Sequence, residues 1–104
     1  MNAKFYLLAC LAIATTSTPA WGQIADPNLG RNMAANCANC HGTNGMSVGG
    51  TAALAGQSRE SLIKALTEFR EGKRPATIMH QLSKGYSDEQ IALIAAYLST
   101  QKSK

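Results

Sequence analysis

The sequence predicts an all-α fold, a small bundle of short helices, on three observations. Apolar residues recur at helical spacing in two segments, Leu62-Ile63-Leu66-Phe69 and Ile91-Ile94-Ala95-Leu98. Helix-start signals precede each predicted helix: Asp26-Pro27, Ser58, and the S-x-x-Q run Ser87-Asp88-Glu89-Gln90. The chain beyond residue 41 contains no strand-like alternating run. Its 104 residues suit one small domain, and neither an internal repeat nor a low-complexity linker divides it.

Residues 1–22 read as a cleaved secretion signal. Lys4 supplies the positive n-region, Phe5 to Ala14 the apolar stretch, and Thr15 to Gly22 are small or polar apart from Trp21. Cleavage after Gly22, with Ala20 two residues before it, fits slightly better than cleavage after Ala20. The apolar stretch falls short of the ~20 residues that span a bilayer, so no stable membrane insertion is expected. Leu8-Ala9-Cys10 faintly resembles a lipoprotein site, but the apolar run continues past Cys10 as an h-region does. Export places the mature domain, residues 23–104, in an oxidising bacterial periplasm.

In the mature domain, Asp26 can cap free amides and Pro27 suits a first turn. The helix that follows carries Leu29, Gly30, Met33 and Ala34 and runs to about Cys37. Gly30 reads either as a point of close helix approach or as a mildly unfavourable helix residue. Gly42 to Gly56 is a glycine-rich loop; with no preceding strand and no Gly-Lys-Ser/Thr ending, it is not a phosphate cradle. A second helix runs from Ser58 to Glu71, with Gly72 as a left-handed stop. Glu60, Lys64 and Glu68 lie at i,i+4 on its solvated face. Lys73 to Gly85 is a connector with some helical turn between Ala76 and Lys84. The last helix follows the capping box and ends near Gln101, with a frayed Lys-Ser-Lys terminus.

Residues 37–41 read Cys-Ala-Asn-Cys-His, the C-x-x-C-H signature of covalent c-type haem attachment. In that reading each thiol of Cys37 and Cys40 forms one thioether, and the His41 imidazole becomes an axial ligand to iron. A thioredoxin-like dithiol would need a βαβ context. Structural zinc would need four ligands, and only His80 remains as a distant partner. A plain disulfide leaves His41 unexplained. After signal cleavage both remaining cysteines belong to this motif, so none is left for a structural disulfide. The loop after the motif can offer a backbone carbonyl to the second nitrogen of His41. A domain this small gains from a staple, so the chain without haem is expected to fold poorly.

The second axial ligand comes from Met33, Met46, Met79 or His80. Met33 lies in the helix leading into the motif, and Met46 is only five residues beyond His41. Met79 is 38 residues beyond, far enough for the chain to pass around the haem edge and return on its other face. Position and elimination favour Met79 over its alternative role in core packing. His80, next to Met79, points elsewhere and reads as a solvent-exposed side chain. A His/Met site is closed and suits electron transfer, whereas a five-coordinate haem held by histidine alone would suit a gas sensor or peroxidase.

The formal charge of +4 does not indicate nucleic acid. Lys4 leaves with the signal, two haem propionates offset most of the remainder, and no basic run interleaves with aromatics. Lys73, Arg74 and Lys84 form a local basic cluster near the expected haem edge.

These residues resemble a known family. Cys37-Ala38-Asn39-Cys40-His41-Gly42, Leu54-Ala55-Gly56-Gln57-Ser58 and the late methionine look like a short class I c-type cytochrome. Thr77-Ile78-Met79-His80 with Lys84-Gly85-Tyr86-Ser87-Asp88-Glu89 is similar to cytochrome subunits of flavocytochrome c sulfide dehydrogenase and their single-haem relatives. The resemblance implies a helical bundle wrapped around one covalent haem c. Its terminal helices would cross, pairing the Leu29–Met33 face with Ile94, Tyr97 and Leu98. It implies Cys37 and Cys40 as anchors, and His41 and Met79 as the iron's axial ligands. It further implies a non-enzymatic electron carrier, with a flavoprotein as donor and another cytochrome or an oxidase as acceptor. The alternative is a free carrier between respiratory complexes. Many relatives place proline in the loop after the motif, but Val48-Gly49-Gly50-Thr51 has none, which leaves the carbonyl partner of His41 open.

Overall fold

A computed structural model describes residues 26–103; the signal segment, including Cys10 and its cleavage sites, lies outside them. The described residues are all-α, with helices α1 (Leu29–Ala34), α2 (Ala38–His41), α3 (Arg59–Arg70), α4 (Met79–Ser83) and α5 (Asp88–Ser99). A 3₁₀ turn at Ala35–Cys37 joins α1 to α2, and another at Thr43–Gly45 follows α2.

The chain from Leu29 to His41 is one right-handed path that tightens at Ala35–Cys37, where the apolar spacing alone predicts a single longer helix. Its N-cap is Asn28, without a side-chain cap bond. Asp26 acts two residues earlier: its carboxylate accepts from the Asn28 amide at 2.8 Å. The path ends at Gly42, whose φ of 82° is left-handed and where a Cβ would overlap the Met46 carbonyl.

In α3, Ser58 caps by accepting from the Ser61 amide at 3.1 Å. Lys64 takes Glu68 rather than Glu60 as its partner, at 3.7 Å. The helix stops at Gly72, whose φ is positive as expected. The turn predicted between Ala76 and Lys84 is α4. The capping box of α5 is present on both sides: the Gln90 amide donates to Ser87 Oγ, and the Ser87 amide donates to Gln90 Oε1.

The core lies where α5 is covered by α1 on one side and α3 on the other, while α4 packs on α3. Ile91, Ile94, Ala95 and Leu98 of α5 are buried, together with Ala34 and Leu62. The crossing of α1 and α5 rests on Gly30. A Cβ there would stand 2.6 Å from the Leu93 carbonyl oxygen, so the close-approach reading of this glycine holds. Met33 and Ala34 complete the contact, whereas Leu29, expected to pair with α5, is 41% exposed.

Candidate haem site

The tight path from α1 into α2 sets the geometry of the motif. Cys37 and Cys40 are three residues apart in helical backbone, so their side chains share one face. Neither forms a disulfide; Cys40 is exposed and Cys37 half-buried, and burial pushes the Cys37 thiol above its ordinary value before attachment. His41 closes α2, and its Nδ1 lies 2.6 Å from the Ala52 carbonyl oxygen. A carbonyl only accepts, so Nδ1 carries the proton and Nε2 keeps the lone pair with which an imidazole binds iron. The carbonyl expected from the glycine-rich loop is thus that of Ala52, held without proline. Leu54 and Ala55 both donate backbone N–H bonds to the Gly45 carbonyl, folding the loop back beneath α2. Gln57 Nε2 donates to the Ala53 carbonyl at 2.6 Å and braces the same stretch. Tyr97 of α5 donates to Asn44 Oδ1 at 2.6 Å, where Asn44 holds a left-handed φ of 55°.

Cys37, Cys40, His41 and Met79 line one cleft, of about 1080 Å³ including its open mouth. Its walls are mostly apolar: Leu54, Leu62, Leu66, Phe69 and Tyr86 among them. Of the four candidates for a second axial ligand, only Met79 lines it. Met33 packs against the helical core, and neither Met46 nor His80 is among the cleft residues. His80, expected at the surface, is half-buried, and its Nδ1 is buried without a partner among the described residues. Ser83 also lines the cleft, and the sequence carries no signal of it as a site residue. Nothing in a lone serine within a short helix points to such a role.

The basic cluster is partly neutralised. Arg74 lines the cleft but gives two bonds to Glu68 Oε2, at 3.0 and 2.7 Å, and stacks over Phe69. Its guanidinium, followed by the nearby Lys64, holds the Glu68 carboxyl below its usual range. Lys73 pairs with Glu71 at 2.7 Å, which raises its ammonium above its usual value. Lys84 is exposed.

The cleft fits a haem. It offers an apolar bed for a flat macrocycle, a thiol pair on one helical face, an imidazole with an oriented lone pair, and a thioether. Among the described residues no three of His, Cys, Asp and Glu converge on a point, so a zinc site lacks its ligands. No helix of the described residues is long and apolar enough to cross a membrane.

Comparison with known proteins agrees with this geometry. The family described as Cytochrome c matches residues 28–102. The cytochrome subunit of sulfide dehydrogenase from Chlorobaculum tepidum is 39% identical over 72% of this chain and 68% of its own length. Cytochrome c-554(548) from Halomonas halodenitrificans is 37% identical over 74% of this chain and 98% of its own. A solved cytochrome c4 from Acidithiobacillus ferrooxidans superposes with a TM-score of 0.62 at 32% identity, covering 69% of this chain and 49% of that one. The chain thus spans about two thirds of the sulfide dehydrogenase subunit and half of the cytochrome c4.

Proposed function

This chain belongs to the cytochrome c family, and on that premise we propose a periplasmic single-electron carrier that takes electrons from a flavoprotein and passes them to another cytochrome or an oxidase. The family and the close cysteine pair give the cofactor as one covalently bound haem c. In this reading Cys37 and Cys40 would hold the haem through thioethers, and His41 and Met79 would bind its iron. What supports it is a single observation: the cysteine pair, the imidazole and one of the three described methionines share one apolar cleft.

When bound, haem c supplies one-electron exchange between ferric and ferrous iron. The rest is the work of this chain. Ala52 holds the proton on His41 Nδ1 and so presents Nε2. Leu66, Phe69 and Tyr86 exclude water from the cleft interior. With the iron held by two side chains of this protein, coordination would change little between redox states, and no residue need act as acid, base or nucleophile. Export to the periplasm rests on residues 1–22.

A pyridine haemochrome spectrum of matured protein tests the attachment. The pigment should resist acidic acetone in the wild type and be extracted from the Cys37→Ala, Cys40→Ala variant. A far-red sulfur–iron band in the ferric spectrum should be present, and absent from Met79→Ala. The flavoprotein donor is supported by likeness to the sulfide dehydrogenase subunit, and co-purification with a flavin-containing subunit tests it. A second reading, a free carrier, is favoured by the match to nearly the whole of cytochrome c-554(548). A persistently monomeric, flavin-free preparation would decide for it.

A further inference from the structure

Inside the haem cleft one polar side chain is left unsatisfied by the rest of the protein. Ser83 is 0% exposed, and its Oγ has no hydrogen-bond partner among the described residues. A buried hydroxyl without a partner is destabilising, and an alanine would fill nearly the same space without that cost. Ser83 also lines the cleft that would hold haem. Met79 and Ser83 are the first and last residues of α4, one helical turn apart, and therefore share a face. Both line the same cleft.

Three kinds of acceptor are chemically open to such a hydroxyl. The carbonyl of Met79, four residues back, is the usual target of a helical serine; Ser83 bonds neither that oxygen nor the Met79 sulfur here, and binding to iron would reposition only the sulfur. Haem propionates carry charge and belong at the open mouth, whereas Ser83 is wholly buried. A thioether has two lone pairs, and one remains free as a weak acceptor after the other binds iron. It is neutral, and it stands on the Ser83 face of α4.

Resting on the reading of Met79 as axial ligand, we propose that the Ser83 hydroxyl donates a hydrogen bond to the Met79 sulfur and thereby tunes the iron. Ser83 is a positioning residue. It orients the sulfur toward the metal and draws electron density from it, which disfavours the ferric state and raises the reduction potential.

The test uses matured holoprotein with Ser83→Ala, Ser83→Thr and Ser83→Val. Midpoint potential, the ferric far-red sulfur–iron band, and displacement of the sulfur by added imidazole are read together. Ser83→Ala should lower the potential, and imidazole should displace the sulfur at a concentration on the order of tenfold lower. Ser83→Thr should restore both properties, and the isosteric Ser83→Val should not. Unchanged potential and displacement in Ser83→Ala would overturn the proposal, as would Val behaving like Thr, which marks packing alone. A shifted potential with unchanged imidazole displacement would assign the hydroxyl to a different acceptor, such as a propionate, and overturn it too. A wild-type ferric spectrum without the far-red band removes Met79 as ligand, and this proposal with it. A band that persists with an inert Ser83→Ala removes the proposal alone.

Discussion

At the scale of single residues the site divides into side chains with a sequence signature and groups without one. Thioether chemistry demands two thiols and a histidine at fixed spacing, so Cys37, Cys40 and His41 are legible in the sequence itself. Met79 is legible by its distance along the chain. The Ala52 carbonyl is not, because every residue carries the same backbone group and only the path of the loop selects one. Ser83 is hidden because serine more often caps a helix than lines a cleft. Gly42 bears on the Ala52 contact, since its left-handed φ turns the chain from α2 into the loop. Gly42→Ala should cost about 1–3 kcal/mol through backbone strain and overlap with Met46. A lower thermal midpoint of the holoprotein checks this; an unchanged midpoint would show that the loop relaxes freely.

Among the elements, α3 and α5 follow directly from apolar spacing and caps, and their bounds fall within a residue or two of the expected ones. Replacing Ser87 by alanine should remove about 1 kcal/mol of stability, read as a lower denaturant midpoint at unchanged slope. The break between α1 and α2 is not legible. Ala35-Asn36-Cys37 holds no glycine or proline, and nothing local distinguishes 3₁₀ from α bonding there; the packing of α1 on α5 and the turn at Gly42 set it. The Glu68–Arg74 clamp, which ties the connector to α3 across Gly72, is equally hidden, because its six-residue separation matches no helical rule. Its carboxyl lies below the ordinary value of 4.5 in the folded protein. The clamp's stabilisation is therefore complete above the unfolded value and is lost as pH falls through the lower folded one. Glu68→Gln should flatten the acid limb of the stability curve while leaving neutral-pH unfolding only slightly changed, as suits an exposed pair. Chemical denaturation from neutral into acid pH checks it.

For the molecule as a whole, the all-α class and its dependence on a cofactor share one cause. Of the buried apolar side chains among the described residues only Leu62, Ile91, Ile94 and Leu98 are larger than alanine, a thin core for a domain of this length. Leu54, Leu66, Phe69 and Tyr86 line the cleft half-buried. Without haem their cleft-facing surfaces are left uncovered, so the Cys37→Ala, Cys40→Ala chain should lack a cooperative thermal transition by circular dichroism or calorimetry. A sharp transition in that variant would show the polypeptide to be self-sufficient. Charge acts at the same scale. Glu71 and Glu68 offset Lys73 and Arg74, leaving Lys84 as the least compensated cation of the cluster. Lys84→Glu should slow reduction by an acidic partner more than Lys73→Glu does, at low salt and not at high salt. Stopped-flow kinetics across ionic strengths measures the difference.

The bare backbone seat of Gly30 against Leu93 also ties the attachment segment to a helix distant in sequence. A bulkier residue at position 30 would wedge the two helices apart and unsettle the footing of the motif, even though it touches neither iron nor ligand.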